Sequence, residues 1–186
     1  MADILGDHRF DSFLADRAES ILLNFDRCYF QGGYYSSKGI VDDRANAMAV
    51  LAGLCKEENY PQIHTILLSV FNATVYMENY ILTALCKMDY RKDAYHRMMS
   101  RYYNLAKNQN STLWEDFNIL GTKNHAWSGA PATIAFRYFM GIETDDGYQT
   151  FRLNYDKSLF KKMNCCFPAK NGIVTVNIDN EKGTVS

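Results

Sequence analysis

The chain of 186 residues and 21.4 kDa is 47% hydrophobic and 22% charged, a balance that excludes disordered and fibrous classes and leaves room for a self-standing core without disulfides. Lys and Arg total 20 against 21 Asp and Glu, with a pI near 6.4 and no basic run, so nucleic acid and anionic membranes are poor partners. The longest apolar stretch, Ala47 to Cys55, falls far short of the ~20 residues of a membrane span, and Met1-Ala2-Asp3-Ile4-Leu5-Gly6 lacks the basic start of a signal peptide; a soluble protein is expected.

In chain order, Phe13, Leu14, Ile21, Leu22 and Phe25 recur at helical spacing and predict an amphipathic helix over Asp11 to Phe30, stopped by Gln31-Gly32-Gly33. Tyr34 to Gly39 reads as a polar loop. Asp42 or Asp43 offers an N-cap for a helix through Ala47, Met48, Leu51 and Leu54, and Pro61 suits the first turn of the next. Further helical faces run through Tyr76, Tyr80, Ile81 and Leu85, and through Ala94, Met98, Tyr102 and Leu105. Lys107 to Lys123 is Asn-rich and reads as a loop, Trp127 to Met140 is helical, and Gly141 is a suitable C-terminal cap.

Near residue 145 the period changes from helical to alternating. Thr150 to Tyr155 and Gly172 to Ile178 read as half-buried strands, with Thr184-Val185-Ser186 opening a strand that returns after a turn. The expectation is a helical region over 1–144 and the start of a β region over 145–186, with an unpaired edge at the end and the chain a piece of a larger protein. The five cysteines are scattered, without CxxC or ligand-like spacing, so free thiols are expected, with Cys55 and Cys86 in the core.

Aromatic residues make up 14% of the chain, including 13 Tyr, and both tryptophans fall in one segment. It runs Ser111-Thr112-Leu113-Trp114-Glu115-Asp116-Phe117, then Asn124-His125-Ala126-Trp127-Ser128-Gly129. A carboxylate beside an indole can be desolvated, which raises its pKa and suits it to accept a proton near neutral pH. An indole can stack on the CH face of a pyranose while Asn, His and Ser bond its hydroxyls. The plainer reading packs Trp114 and Trp127 in the core, leaves Glu115 as a solvated loop acid and has His125 cap the following helix. Asp43-Arg44 fits a ligand clamp or a helix cap with an ion pair; Glu78 reads as a helix-surface acid, and His64 and His96 as isolated. No Gly-rich phosphate loop or nucleophile elbow is present.

Four blocks in order carry a resemblance: Val41-Asp42-Asp43-Arg44-Ala45-Asn46-Ala47 onward to Leu54, Thr112-Leu113-Trp114-Glu115, Asn124-His125-Ala126-Trp127-Ser128-Gly129-Ala130-Pro131, and Tyr138-Phe139-Met140-Gly141-Ile142. Together they resemble the C-terminal part of bacterial α-L-rhamnosidases of glycoside hydrolase family 78, over almost the whole chain. The resemblance implies a mainly α fold, part of an α/α toroid of the six-hairpin glycosidase type, followed by a truncated β-sandwich segment. It implies hydrolysis of terminal α-L-rhamnosides with inversion, Glu115 as general base, His125 as a sugar contact and Trp114 and Trp127 as pocket walls.

No cofactor and no metal are implied. The partners implied are a rhamnose-containing glycoside and the upstream half of the same enzyme, in a bacterial cytoplasm or periplasm. An inverting glycosidase needs two carboxyl groups, and no acidic block matching the family's general acid precedes Asp43; a fragment carrying the base alone is expected to be inactive or nearly so. Two rivals stand beside this reading: a helical carbohydrate-binding or interaction module without catalysis, and another α/α-toroid glycosidase of different sugar preference. No repeat of constant period supports a helical-repeat form of the first.

Overall fold

The computed structural model describes residues 2–108, 113–144 and 147–186; Ser111 and Thr112, which open the aromatic segment, and the expected start of the β region at 145 lie outside them. Among the described residues the chain is about half helical, with three small antiparallel sheets. Contacts divide it into two compact units, Met1–Phe71 and Asn72–Ser186.

The first unit begins with the short helix α1 (Ala2–Leu5) and the amphipathic helix α2 (Asp11–Tyr29). Where a polar loop was expected, strands β1 (Phe30–Gln31), β2 (Tyr34–Ser37) and β3 (Ile40–Val41) form a meander. Its two turns are Gly32-Gly33 (φ 65° and 93°) and Lys38-Gly39 (φ 52° and 76°). Positive φ at both central residues matches the right-handed twist of a tight hairpin, which is why two residues suffice. Tyr35, within the segment expected to be polar loop, is buried, with its ring on Phe25 and Phe30.

Helix α3 (Asp43–Leu51) then starts on Asp42, whose carboxylate accepts from the Arg44 amide at 2.8 Å. Buried Asn46 clamps Tyr35, accepting from its N–H at 2.8 Å and donating to its carbonyl at 2.9 Å. A 3₁₀ turn (Glu57–Asn59) and helix α4 (Tyr60–Ser69), with Pro61 in its first turn, complete this unit.

In the second unit, helices α5 (Val75–Lys87) and α6 (Arg91–Lys107) pack together through Ile81, Leu82, Leu85, Ala94 and Met98, all buried. After the loop over 113–125, the helical stretch predicted to Met140 is divided into a 3₁₀ turn (Ala126–Gly129), helix α7 (Ala130–Ile134) and a π-helical turn (Ala135–Phe139). Gly141 ends it at φ 64°; a Cβ there would lie 2.2 Å from the Asn154 backbone, so no other residue fits without displacement. Strands β4 (Ile142–Glu143) and β5 (Arg152–Leu153) pair beside it, and the long hairpin of β6 (Lys162–Ala169) and β7 (Gly172–Asp179) follows.

Phe167, Val176 and Ile178 from that hairpin bury against Met140 and Ile142. Strand β8 (Thr184–Val185) pairs with β7, so the returning strand is hydrogen-bonded rather than left as an open turn. No helix among the described residues is long and apolar enough to cross a membrane. Cys55 and Cys86 are buried and all five cysteines are free; burial pushes the two thiols up to about 11 and about 12.

Candidate functional site

Trp114, Glu115, His125 and Trp127 all lie in the second unit. Their loop is closed by paired backbone: Glu115 N donates to the Thr122 carbonyl and His125 N to the Leu113 carbonyl, each at 3.1 Å. Within it the Asp116 carboxylate accepts from the amides of Asn118 (2.8 Å) and Leu120 (3.3 Å), an Asx-type bend that turns the chain back. Gly121 sits at φ 79°, and a Cβ there would lie 2.6 Å from Glu115 Oε2, so glycine is what lets the carboxylate approach the returning strand of the loop.

Oε2 of Glu115 accepts from both the amide and the hydroxyl of Thr122, each at 3.0 Å. Among the described residues Oε1 has no partner, and the side chain is 47% exposed. His125 Nε2 hydrogen-bonds the Thr122 hydroxyl and stands 3.7 Å from Oε2. The Thr122 amide, then its hydroxyl, hold the Glu115 carboxyl below the ordinary range for glutamate, with a smaller contribution from His125. This corrects the expectation of a pKa raised by an adjacent indole: the carboxylate is solvated, and donated hydrogen bonds set its titration.

The two tryptophans part company. Trp127 is 47% exposed and stacks on the His125 imidazole at 4.2 Å between centroids, 24° between planes. Trp114 is 3% exposed and packs with Val75 and Leu105. Its carbonyl accepts from Ser128 Oγ at 2.5 Å, Lys123 Nζ lies 4.7 Å over its ring, and its Nε1 has no acceptor among the described residues. The ring lines a cavity of about 580 Å³ with Met98, Met99, Leu113 and Pro131. The structure therefore brings Glu115, His125 and Trp127 onto one surface and sets Trp114 in the interior.

Glu78 is not the surface acid expected. It is fully buried on α5, with Arg97 Nε at 2.6 Å from Oε1 and a second Arg97 nitrogen at 3.0 Å from Oε2. Arg101 Nε approaches Oε2 at 3.3 Å, a charge contact rather than an aligned hydrogen bond. The Arg101 guanidinium lies 4.0 Å over the Phe117 ring, and Phe117 meets Tyr102 edge-on at 5.1 Å. The network so ties α5 and α6 to the loop that carries Glu115. A signal was available: Glu78 falls on the same helical stripe as Val75, Ile81, Leu82 and Leu85, and Arg97 and Arg101 are one turn apart beside Met98.

At Asp43 and Arg44 the geometry fits the helix cap with an ion pair. Arg44 pairs with Asp42 at 2.5 Å, while Asp43 is buried. His96 is exposed against Tyr95, and among the described residues no group of three or more His, Cys, Asp and Glu could hold a metal ion.

No family model matches the chain, and no curated protein matches its sequence. The fold is similar to that of a GH78 family rhamnosidase of Bacillus sp. GL1. The TM-score is 0.82 at 18% sequence identity, over 95% of this chain and 21% of that one. At this identity the likeness is one of fold, and the chain spans about a fifth of that protein's length.

Proposed function

We propose that this chain is part of a glycoside hydrolase related to the GH78 rhamnosidases, contributing the later helices of an α/α toroid over 1–144 and the start of a β-sandwich over 145–186. In this reading Glu115 is the general base of an inverting reaction, His125 contacts the sugar, Trp127 walls the pocket and Trp114 backs it from within. The general acid and the upstream helices come from residues beyond this sequence, and the substrate is a terminal α-L-rhamnoside. The observation that carries the reading is the Glu115 carboxylate itself: one oxygen pinned by Thr122, the other open to solvent, beside a stacked His125–Trp127 pair. A base must be ionised and must keep one lone pair for the attacking water; an inverting enzyme places that water between two carboxyl groups roughly 6.5–9.5 Å apart. The low pKa keeps Glu115 ionised at neutral and mildly acidic pH.

Steady-state hydrolysis of an aryl α-L-rhamnoside by the full-length protein tests this. Glu115→Gln removes the proton acceptor but keeps the shape, and kcat is expected to drop by roughly 10²–10⁴ with circular dichroism unchanged. Turnover at the wild-type rate in that variant overturns the assignment.

A further inference from the structure

Trp127 faces more than the Glu115 loop. Helix α5 presents Tyr76, Asn79 and Tyr80 at spacings of three and four, hence on one face, and with Trp127, Ala130 and Thr133 they enclose a concavity of about 230 Å³. Tyr76 is 48% and Trp127 47% exposed, and the rings meet at 84° with centroids 6.2 Å apart, forming an aromatic corner. The hydroxyls of Tyr76 and Tyr80 are 3.3 Å apart. The side chains of Asn79 and Thr133 have no hydrogen-bond partner among the described residues.

This combination is what a pyranose needs. Two solvent-exposed rings at a right angle supply an apolar corner for its CH face, while an unpartnered amide, a hydroxyl and a tyrosine pair around the rim can exchange hydrogen bonds with its hydroxyls. A purely apolar partner would leave the Asn79 amide and the Thr133 hydroxyl desolvated without compensation, which is costly. The cavity beside Trp114 differs: its lining is mostly apolar, and of its polar side chains the Ser128 hydroxyl is committed to the Trp114 carbonyl and the Tyr102 hydroxyl to the Val75 carbonyl.

We infer that the Tyr76–Trp127 corner is a second saccharide subsite, binding a pyranose unit with Asn79, Tyr80 and Thr133 as hydrogen-bond partners. The inference rests on the glycoside reading above for the class of ligand, and His125, stacked on Trp127, joins this subsite to the Glu115 centre.

The placement of the two tryptophans supplies the assay, because Trp127 is open to an iodide quencher and Trp114 is not. Methyl α-L-rhamnopyranoside and methyl α-D-mannopyranoside are titrated against the chain while tryptophan emission and iodide quenching are followed. Saturable protection of the exposed tryptophan at millimolar sugar is expected. Tyr76→Ala should weaken it roughly tenfold, as the loss of one aromatic contact requires; Tyr76→Phe should retain it within about twofold, and Tyr103→Ala, on an exposed ring of α6, should leave it unchanged. Absence of protection by either sugar, or equal protection in Tyr76→Ala, overturns the subsite. Rhamnoside hydrolysis by the full-length protein without protection of Trp127 sinks the subsite and leaves the glycosidase reading standing; protection without hydrolysis does the reverse.

Discussion

Glu115 is governed by what donates to it. The Thr122 amide and hydroxyl both point at Oε2, and stabilising the anion lowers the pKa. Thr122→Val removes the hydroxyl and keeps the amide, the larger of the two influences, so the carboxyl should titrate higher than in the wild type yet still below an ordinary glutamate. If Glu115 is the base, the acid limb of kcat/KM against pH moves to higher pH in Thr122→Val, because protonation then sets in sooner as pH falls. An acid limb at the wild-type position would separate Glu115 from the rate-determining proton transfer. The same residue shows what sequence could not convey. A neighbouring Trp in the chain suggested desolvation, but the indole packs inward on Val75 and Leu105 while the carboxylate faces water.

At the scale of elements, the buried Glu78–Arg97 pair joins α5 to α6, and Arg101 carries the connection to Phe117 in the Glu115 loop. Two charges out of water are tolerated only while paired. Arg97→Met leaves Glu78 with the poorer Arg101 contact and should cost about 3–5 kcal/mol in urea denaturation. Glu78→Leu combined with Arg97→Met should recover only part of this, since Arg101 keeps its bond to the Ala73 carbonyl and its place over Phe117 but loses its contact with the Glu78 carboxylate. Additive losses in this double-mutant cycle would mean that the pair carries no coupling. Helix α2 behaves differently: none of its residues is buried, and Phe13, Leu14 and Leu23 are each more than half exposed. Its amphipathic stripe was legible in sequence, whereas the absence of a cover for most of it was not.

Across the molecule the near-neutral charge balance conceals carboxylates whose protonation matters. Asp42, hydrogen-bonded by the Arg44 guanidinium, and Asp156, hydrogen-bonded by the Ser158 hydroxyl, both titrate below the ordinary aspartate value. A depressed folded pKa means stability that is present above the unfolded value of ~3.9 and lost as pH falls through the folded one. The denaturant midpoint should therefore hold between about pH 7 and 5 and decline below about 4. Asp42→Asn, which keeps a capping side chain but cannot ionise, should lessen that decline; a slope identical to wild type would show that Asp42 takes no part in it.

What the sequence determined by itself was whatever depends on neighbours along the chain. The helical stripes of α2 to α6, the Asp42 cap, the first-turn Pro61, the Gly141 stop and the strand period of β7 all follow from spacing and local backbone chemistry. The β1–β3 meander is not legible in sequence because short strands are defined by the pairs they make, although Gly32-Gly33 and Lys38-Gly39 carry the turn signal; in the eight-residue β6 the outward Cys166 between Cys165 and Phe167 blurs the alternation. Tertiary structure alone decided the rest: which tryptophan is buried, that Glu78 is an interior ion, and that Tyr76 and Tyr80 come to stand beside Trp127 from some fifty residues away. Those are long-range juxtapositions. They arise when amphipathic faces bury against one another, and a carboxylate or ring acquires its chemistry from the partners that burial supplies.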